Sequence, residues 1–149
     1  MDDSLRQALS LLPHGPEFRF VERLLELEPG HSGVGQYTVQ GDEPFLRGHF
    51  PGRPLFPGVL LMEAVAQLAG IVAQSDPTLP PFPSLKLAAV RSVKILGGAA
   101  PGDVLRLEAR VTGRLANLIQ ADGEASVAGR LLLQGSITLS GESSEQRAG

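Results

Sequence analysis

The feature that most constrains the fold of this chain is a long apolar helix, predicted from Pro57 to about Gln74. Pro57 can occupy the first helical position, where its fixed φ is favourable and its missing N–H costs nothing. From Val59 to Ala73 the only charged side chain is Glu63. A helix that is apolar nearly all round must be covered on most of its sides. We therefore expect this helix to lie at the centre of the fold.

Strands that follow the helix can provide that cover. Apolar and polar residues alternate over 105–112, 119–127 and 131–139, which is typical of strands with one buried and one wet face. Ala128-Gly129 is a candidate hairpin turn, and 84–94 is predicted to form a further strand. Small inward residues in the middle strand would let the sheet curl closely around the helix; they are Ala121, Gly123 and Ala125.

The first part of the chain adds a short helix over 4–12 and two strands over 20–28 and 31–40. The pattern predicts an α+β fold in which a curved antiparallel sheet of five to six strands wraps around one long helix. A chain of 149 residues is most simply one domain. We expect that domain to span 1–140, followed by a flexible polar tail over 141–149.

Composition narrows the possible functions. The formal net charge of −3, the aromatic content of 5% and the absence of Trp argue against a nucleic-acid partner. The chain has no Cys, which fits a reducing compartment. The start of the chain is acidic, and Pro13 arrives before a signal-peptide core could form. The apolar stretch 59–73 is shorter than the roughly 20 residues that span a bilayer. We expect a soluble cytoplasmic protein.

One polar lane runs along the predicted helix. At about 100° per residue, Glu63, Gln67, Gly70 and Gln74 fall on nearly the same line. One interpretation is that the lane marks where the helix meets solvent or a subunit boundary. The other is that Glu63 lies in an apolar pocket, where desolvation favours its protonated form and makes it a proton donor. Gln67, one turn away, could then orient Glu63 by hydrogen bonding.

A loop directly before the helix carries a histidine, His49. Three prolines within seven residues stiffen this loop: Pro51, Pro54 and Pro57. A simple connection between two elements does not require such a rigid loop, whereas a functional side chain does need a rigid support. His49 is therefore a candidate general base, whereas His14 and His31 are interpreted as ordinary loop residues.

The helix start adds a third element to the predicted site. The free N–H groups near Gly58 and Val59 carry partial positive charge and could hold an oxyanion. Gly58, with no Cβ, would let a substrate carbonyl approach closely. The sequence contains neither a Walker phosphate loop nor a G-x-S-x-G elbow. Three scattered histidines without Cys do not predict a zinc site, and we expect neither metal nor cofactor.

The segment from His49 to Gln67 resembles the signature of β-hydroxyacyl-acyl-carrier-protein dehydratases of the FabZ type. Its pattern is H-F-P-x-x-P-x-x-P-G-V-L-x-x-E-A-x-A-Q. The likeness covers roughly 10–140, and Leu12-Pro13-His14, Glu43-Pro44-Phe45 and Pro101-Gly102-Asp103 match as well.

The resemblance implies a hot-dog fold and a homodimer with two active sites at its interface, often assembled further as a trimer of dimers. It also implies that His49 of one subunit meets Glu63 of the other. Spacing alone leaves a contact within one chain open, because the eight residues from His49 to Pro57 can reach up to about 27 Å.

The implied reaction is loss of water from a β-hydroxyacyl thioester, giving a trans-2-enoyl thioester, in fatty-acid or related lipid or polyketide synthesis. In this scheme His49 takes the proton next to the thioester carbonyl and Glu63 donates to the leaving hydroxyl. The N–H groups of Gly58 or Val59 meet the enolate oxygen, and the acyl chain lies in a tunnel. The implied partner is an acyl carrier protein, or CoA, that carries the substrate.

Two stretches depart from the family pattern. Gly15-Pro16-Glu17 stands where Arg-Tyr-Pro is usual, and Ser92–Leu96 where Lys-Ala-Arg-Phe-Arg is usual. The second stretch gates the tunnel and receives the carrier in the family. Candidate residues for gripping an acidic carrier are Arg47, Arg53, Lys86, Arg91 and Lys94. Alternatives are a dehydratase that also isomerises the double bond, a hot-dog thioesterase, and a degenerate dehydratase that serves as an acyl-binding subunit.

Overall fold

One antiparallel sheet curls around one long helix in the computed structural model, which describes residues 2–142. The elements, in chain order, are α1 (Asp3–Leu9), β1 (Arg23–Glu28), β2 (Ser32–Thr38), α2 (Gly58–Gln74), β3 (Leu85–Ile95), β4 (Val104–Leu115), β5 (Leu118–Val127) and β6 (Arg130–Gly141). The strand order is β1-β2-β4-β5-β6-β3, so β1 and β3 form the two edges. The predicted α+β hot-dog arrangement is confirmed, with six strands.

Helix α2 lies at the centre because its sequence leaves almost no polar face. Eleven of its 17 residues are buried, and Gln67 is the one polar side chain among them. Pro57 is the N-cap rather than the first helical residue, because its extended ψ of 141° keeps it outside the helix. The helix therefore starts one residue later than the sequence predicted.

The sheet approaches α2 closely where its inward residues are small. A Cβ on Gly123 would collide with Val65 of α2, and a Cβ on Gly33 would lie 2.8 Å from Val72. Ala121 and Ala125 are fully buried on the same face. The curl predicted from the small residues of β5 is confirmed. Gly33 of β2 likewise makes room for the helix.

Among the predicted boundaries that differ from the structure, three do so for local reasons that can be named. Helix α1 ends at Leu9 rather than at residue 12, because tighter i→i+3 bonds replace the helical ladder after it. Strand β1 starts at Arg23 rather than at Phe20, because the Phe20 N–H bonds to a side chain of α2 instead of a neighbouring strand. Gly141 pairs with Leu85 as the last residue of β6, and the N–H of Glu142 bonds to the Ser84 carbonyl; the remainder of the predicted tail, 143–149, lies outside the described residues.

No helix within residues 2–142 combines the length and the apolar character that crossing a bilayer requires.

Two carboxyl groups face each other on the outer side of the sheet. Glu108 of β4 lies directly opposite Glu124 of β5. Their side chains share a hydrogen bond, which lowers the pKa of Glu108 and raises the pKa of Glu124. Arg106, with its Nη2 3.2 Å from a Glu108 oxygen, also favours the charged form of Glu108. The pair therefore favours the state in which the two carboxyl groups share one proton.

Glu124→Gln should stabilise the protein at neutral pH, because its amide can donate to Glu108 without a titratable proton. Like charges directly opposite one another cost a sheet of order 0.5 kcal/mol. Because the pKa of Glu124 is higher in the folded protein than in the unfolded chain, Glu124 stabilises the fold at low pH, and this effect is lost as pH rises through its folded pKa. Because the pKa of Glu108 is lower in the folded protein, Glu108 stabilises the fold at higher pH, and this effect is lost as pH falls through its folded pKa. The increase in the free energy of unfolding caused by Glu124→Gln, measured by urea denaturation, should therefore grow from about pH 4 to pH 8.

Glu28→Gln is the matched control, because Glu28 lies opposite Ser32 rather than another carboxylate. A gain from Glu124→Gln that is the same at both ends of the pH range would show that the shared proton does not matter.

Candidate active site

The loop before α2 is built around a tight turn. The Arg53 N–H donates to the Phe50 carbonyl at 2.9 Å, and Pro51 and Gly52 occupy the two central positions. Gly52 has a φ of +74°, so Pro followed by Gly matches the requirements of a type II turn. Pro54 follows the turn and is exposed. The stiffness predicted for this loop thus has a geometric basis at Pro51.

His49 is held inside this loop through both its backbone and its ring. Its carbonyl accepts the Leu55 N–H at 2.7 Å, and its Nδ1 lies 2.9 Å from the Leu55 carbonyl oxygen. A carbonyl can only accept, so the ring proton belongs on Nδ1 and Nε2 keeps a free lone pair. The ring is half-buried and stacks on Phe50 with centroids 4.2 Å apart. His49 therefore presents a basic nitrogen on a fixed imidazole.

The first two residues of α2, Gly58 and Val59, have backbone N–H groups that are candidate donors. The N–H groups of Leu60 and Leu61 both bond to the Pro57 carbonyl, at 3.0 and 3.1 Å. In the described part of the chain no acceptor is bonded to the N–H groups of Gly58 and Val59. These two N–H groups carry the partial positive charge of a helix N-terminus. Donors of this kind are chemically suited to an oxygen that develops negative charge.

The space next to Gly58 differs from the expectation. A Cβ at Gly58 would lie 2.9 Å from Cδ1 of Ile95, a residue of the edge strand β3. The missing side chain therefore accommodates Ile95, in the space that was predicted to admit a substrate carbonyl.

Glu63 lies one and a half turns further along α2, with two nitrogen atoms beside the same carboxyl oxygen. The Nε2 group of Gln67 donates to Oε1 of Glu63 at 3.3 Å. The Nε2 atom of His14 lies 3.4 Å from the same oxygen. The side chains of Glu63 and His14 are only 21% and 27% exposed. The interpretation of Glu63 as a carboxyl in a sheltered pocket fits this geometry better than a simple solvent-facing lane.

Gln67 is fixed by the backbone of the segment before β1. Its Oε1 accepts the Phe20 N–H at 2.8 Å, and its Nε2 donates to the Phe18 carbonyl at 2.9 Å. The side chain is 2% exposed. Because a buried amide needs all its partners, these bonds hold Gln67 in one orientation, and the predicted contact with Glu63 is present.

His14 is the member of this cluster that sequence reasoning missed. The segment that carries it is anchored by Arg19, whose Nη2 donates to the carbonyls of Leu12 and His14, both at 3.2 Å. These backbone bonds turn the imidazole towards Glu63, 49 positions along the chain. No periodicity links such distant positions, and the only available signal was that Leu12-Pro13-His14 belongs to the family pattern.

His49 and Glu63 have separate sets of neighbours within one chain. The ring of His49 contacts Leu55 and Phe50, whereas the carboxyl of Glu63 contacts Gln67 and His14. Glu63 lines the cavity beside α2 and His49 is not among the residues lining it. Within a single protomer the structure therefore gives the two predicted catalytic side chains no neighbour in common.

The cavity beside α2 has a volume of about 480 Å³ and follows the polar lane from Glu63 to Gln74. At a rise of 1.5 Å per residue this is a length of about 16 Å. The amide of Gln74 bonds to both the N–H and the carbonyl of Phe82, at 3.0 and 2.8 Å, at the end away from Glu63. The apolar part of the wall includes Leu11, Leu12, Ile71, Phe82, Leu85, Leu87 and Leu139.

A larger cavity of about 770 Å³ lies over the outer, polar face of the sheet. Glu63 lines the smaller cavity and not this one, so we place the candidate site in the smaller cavity. Among residues 2–142 no group of three or more His, Asp or Glu side chains is arranged to hold a metal ion. The residues proposed to grip a carrier are all exposed; they are Arg47, Arg53, Lys86, Arg91 and Lys94.

Comparison with known proteins settles the family. The model of the FabA-like domain matches residues 12–136. The chain belongs to the FabA-like family. It is 36% identical over 134 residues to the 3-hydroxyacyl-[acyl-carrier-protein] dehydratase FabZ of Roseiflexus sp. (strain RS-1), covering 90% of this chain and 93% of the relative. It is 39% identical over 137 residues to the same-named protein of Natranaerobius thermophilus, covering 90% and 94%. The predicted FabZ-type dehydratase, and hence an enzyme, is confirmed.

Solved structures support the FabA-like fold. The dehydratase heterocomplex ApeI:P from Xenorhabdus doucetiae aligns with a TM-score of 0.79 at 20% identity, covering 95% of this chain and 94% of that chain. Zebra fish thioesterase superfamily member 2 aligns with a TM-score of 0.68 at 16% identity, covering 91% and 94%. At these identities the likeness concerns the fold alone, which dehydratases and thioesterases share.

Proposed function

We propose that this FabA-like chain removes water from a β-hydroxyacyl thioester on acyl carrier protein and releases the trans-2-enoyl thioester. The observation that carries the proposal is the carboxyl of Glu63, held by neighbouring side chains at one end of a largely apolar cavity. The FabZ relatives, at 36% and 39% identity over most of the chain, support the same reaction. The expected setting is fatty-acid or related lipid or polyketide synthesis.

His49 is the base in this reaction. Its Nε2 lone pair takes the proton from the carbon next to the thioester carbonyl, while Nδ1–H stays bonded to the Leu55 carbonyl. The electrons of the broken C–H bond move towards the carbonyl oxygen. The N–H groups of Gly58 and Val59 stabilise the negative charge on that oxygen, because they are preorganised donors at a helix start.

Glu63 is the acid. Its protonated carboxyl donates to the β-hydroxyl as the C–O bond breaks, and the hydroxyl leaves as water. The enolate electrons form the new C=C bond, so the reaction needs no oxidant or reductant. His49 ends with one extra proton and Glu63 with one fewer, and exchange with water restores both. The C–H and O–H proton transfers therefore use two different side chains.

The active unit in this proposal is a homodimer in which His49 of one subunit faces Glu63 of its partner, with a trimer of dimers as a possible larger assembly. Support comes from the separate neighbours of the two side chains in one chain. Further support comes from β3, an 11-residue edge strand. Val90 and Ile95 of β3 are 48% and 56% exposed, and a long apolar edge is a template for pairing with another chain.

The acyl chain is proposed to lie in the cavity along α2, starting at Glu63. The carrier is proposed to dock on the exposed basic side chains near the His49 loop and on β3. Charge complementarity favours an acidic carrier there, since Arg53 lies in the loop and Lys94 lies beside Ile95 at the end of β3.

His49→Ala and Glu63→Gln should each lower the rate of enoyl-thioester hydration by at least ~10²-fold, because each removes one proton-transfer group. The measurement is hydration of crotonyl or longer enoyl thioesters by the purified protein, followed by loss of enoyl absorbance. His31→Ala is the control, because His31 is an exposed residue after β1.

Unchanged turnover in either variant would reject the assigned roles. Release of free thiol from acyl-CoA would favour a thioesterase, and a cis-3-enoyl product would favour a bifunctional isomerase. A wild-type protein with no turnover on any thioester would favour a degenerate acyl-binding subunit.

Mixing two inactive variants tests the shared site. When His49→Ala and Glu63→Gln chains are unfolded and refolded together, random pairing gives heterodimers with one intact site in half of the dimers. About a quarter of the wild-type activity should return if sites form across a two-fold interface. A mixture that stays as inactive as its components would place both groups of a site in one chain.

Gly70→Leu should shorten the acyl chain that the protein accepts. Gly70 lines the cavity about 10 Å from Glu63, which is roughly eight bonds of extended chain. A Cβ there would be 4.0 Å from Leu85, so a side chain can project without a clash. Replacing Gly in a helix also improves its propensity by about 0.8 kcal/mol, so the variant should fold.

The measurement is kcat/KM across enoyl thioesters of four to sixteen carbons. Values for the longest chains should fall at least ~10-fold while the four-carbon value is retained, with Gly70→Ala intermediate. An equal loss at every chain length would show that the acyl chain does not follow this cavity.

A further inference from the structure

We propose that His14 is a positioning residue for the carboxyl of Glu63, and that it assigns different roles to the two carboxyl oxygens. His14 and Gln67 hold Oε1, so that Oε2 is the atom that carries the transferred proton. The inference rests on the proposed dehydration, in which Glu63 is the acid.

The protonation of His14 follows from its surroundings. Its Nδ1 is buried and has no hydrogen-bond partner among residues 2–142. A proton on Nδ1 would be a buried donor without an acceptor, which is costly. The ring proton is therefore assigned to Nε2, which faces Oε1 of Glu63 at 3.4 Å. This contact is longer than an ordinary N–H···O bond, and we expect it to shorten when substrate closes the site.

The two carboxyl oxygens of Glu63 have unequal neighbours. Oε1 is approached by the amide of Gln67 at 3.3 Å and by His14 at 3.4 Å. Within the described residues no hydrogen bond reaches Oε2. A proton on Oε1 would repel two N–H donors, so the acidic proton belongs on Oε2. As Oε2 gives up its proton, negative charge develops on the carboxylate and the two donors at Oε1 stabilise it.

The position of His14 is set by the same segment that fixes Gln67. Arg19 holds the carbonyls of Leu12 and His14, and the ring of His14 lies 6.1 Å from that of Phe18. The carbonyl of Phe18 is bonded to Gln67. The segment from 12 to 20 is therefore one frame that brings both donors to Glu63. Because hydrogen bonds to backbone atoms hold this frame, replacing the imidazole of His14 should not disrupt it.

The experiment compares His14→Phe and His14→Gln in the dehydration direction, with a β-hydroxyacyl thioester as substrate and the gain of enoyl absorbance as the readout, because Glu63 acquires its negative charge in that direction. His14→Phe keeps a ring against Phe18 but has no N–H, so kcat should fall ~10- to 100-fold, as expected for the loss of one hydrogen bond to a developing charge, with KM within about twofold. His14→Gln supplies an amide N–H and should recover most of kcat. His31→Phe repeats the substitution at an exposed histidine and should not change kcat.

Urea denaturation of each variant separates a positioning role from a structural one, because loss of kcat should not track loss of stability. Long-range ¹H–¹⁵N NMR on the wild-type protein tests the inference without any substitution, and it should show the His14 proton on Nε2. A proton on Nδ1, an unchanged kcat in a folded His14→Phe, or equal losses in the Phe and Gln variants would overturn the inference. If instead the wild-type protein does not hydrate enoyl thioesters, the proposed function fails first.

Discussion

The buried amide of Gln67 is the interaction on which the candidate site depends. A polar side chain inside an apolar helix must have its donors and acceptors satisfied, and here the backbone at Phe18 and Phe20 satisfies them. That requirement docks the segment before β1 against α2. The docked segment carries His14 to Glu63 and forms one wall of the cavity. A single requirement of hydrogen bonding thus links the packing of the core to the chemistry of the site.

How far the sequence predicted the site depends on the range of each contact. Helical periodicity placed Glu63, Gln67, Gly70 and Gln74 on one line, and all four line one cavity. The small residues of β5 predicted the close wrap of the sheet, since only backbone spacing was involved. The partner of Glu63 across the cavity was not predictable in this way. His14 reaches the carboxyl because Arg19 folds its loop, and such a loop leaves no repeating pattern in the sequence.

The relation between His49 and Glu63 was a second limit of sequence reasoning. The length of the chain between His49 and Pro57 allowed a contact within one protomer. In the structure, however, the hydrogen bonds of the loop form within the loop, because the Leu55 N–H and carbonyl both bond to His49. His49 is therefore held in one orientation, and Glu63 is held by Gln67 and His14. Two such groups with separate neighbours on one chain are what the proposed two-fold assembly would need to build two identical sites.

The departure from the family pattern in β3 acts on the site through packing. Ile95 stands where the family has an aromatic residue, and its side chain fills the space beside Gly58. Because Gly58 provides one of the two free N–H groups at the helix start, the residue at position 95 sets how closely a carbonyl can approach those donors from that side. The same side chain is 56% exposed on an edge strand. A change at this one position would therefore alter both the exposed edge of the sheet and the space beside the N-terminal end of α2.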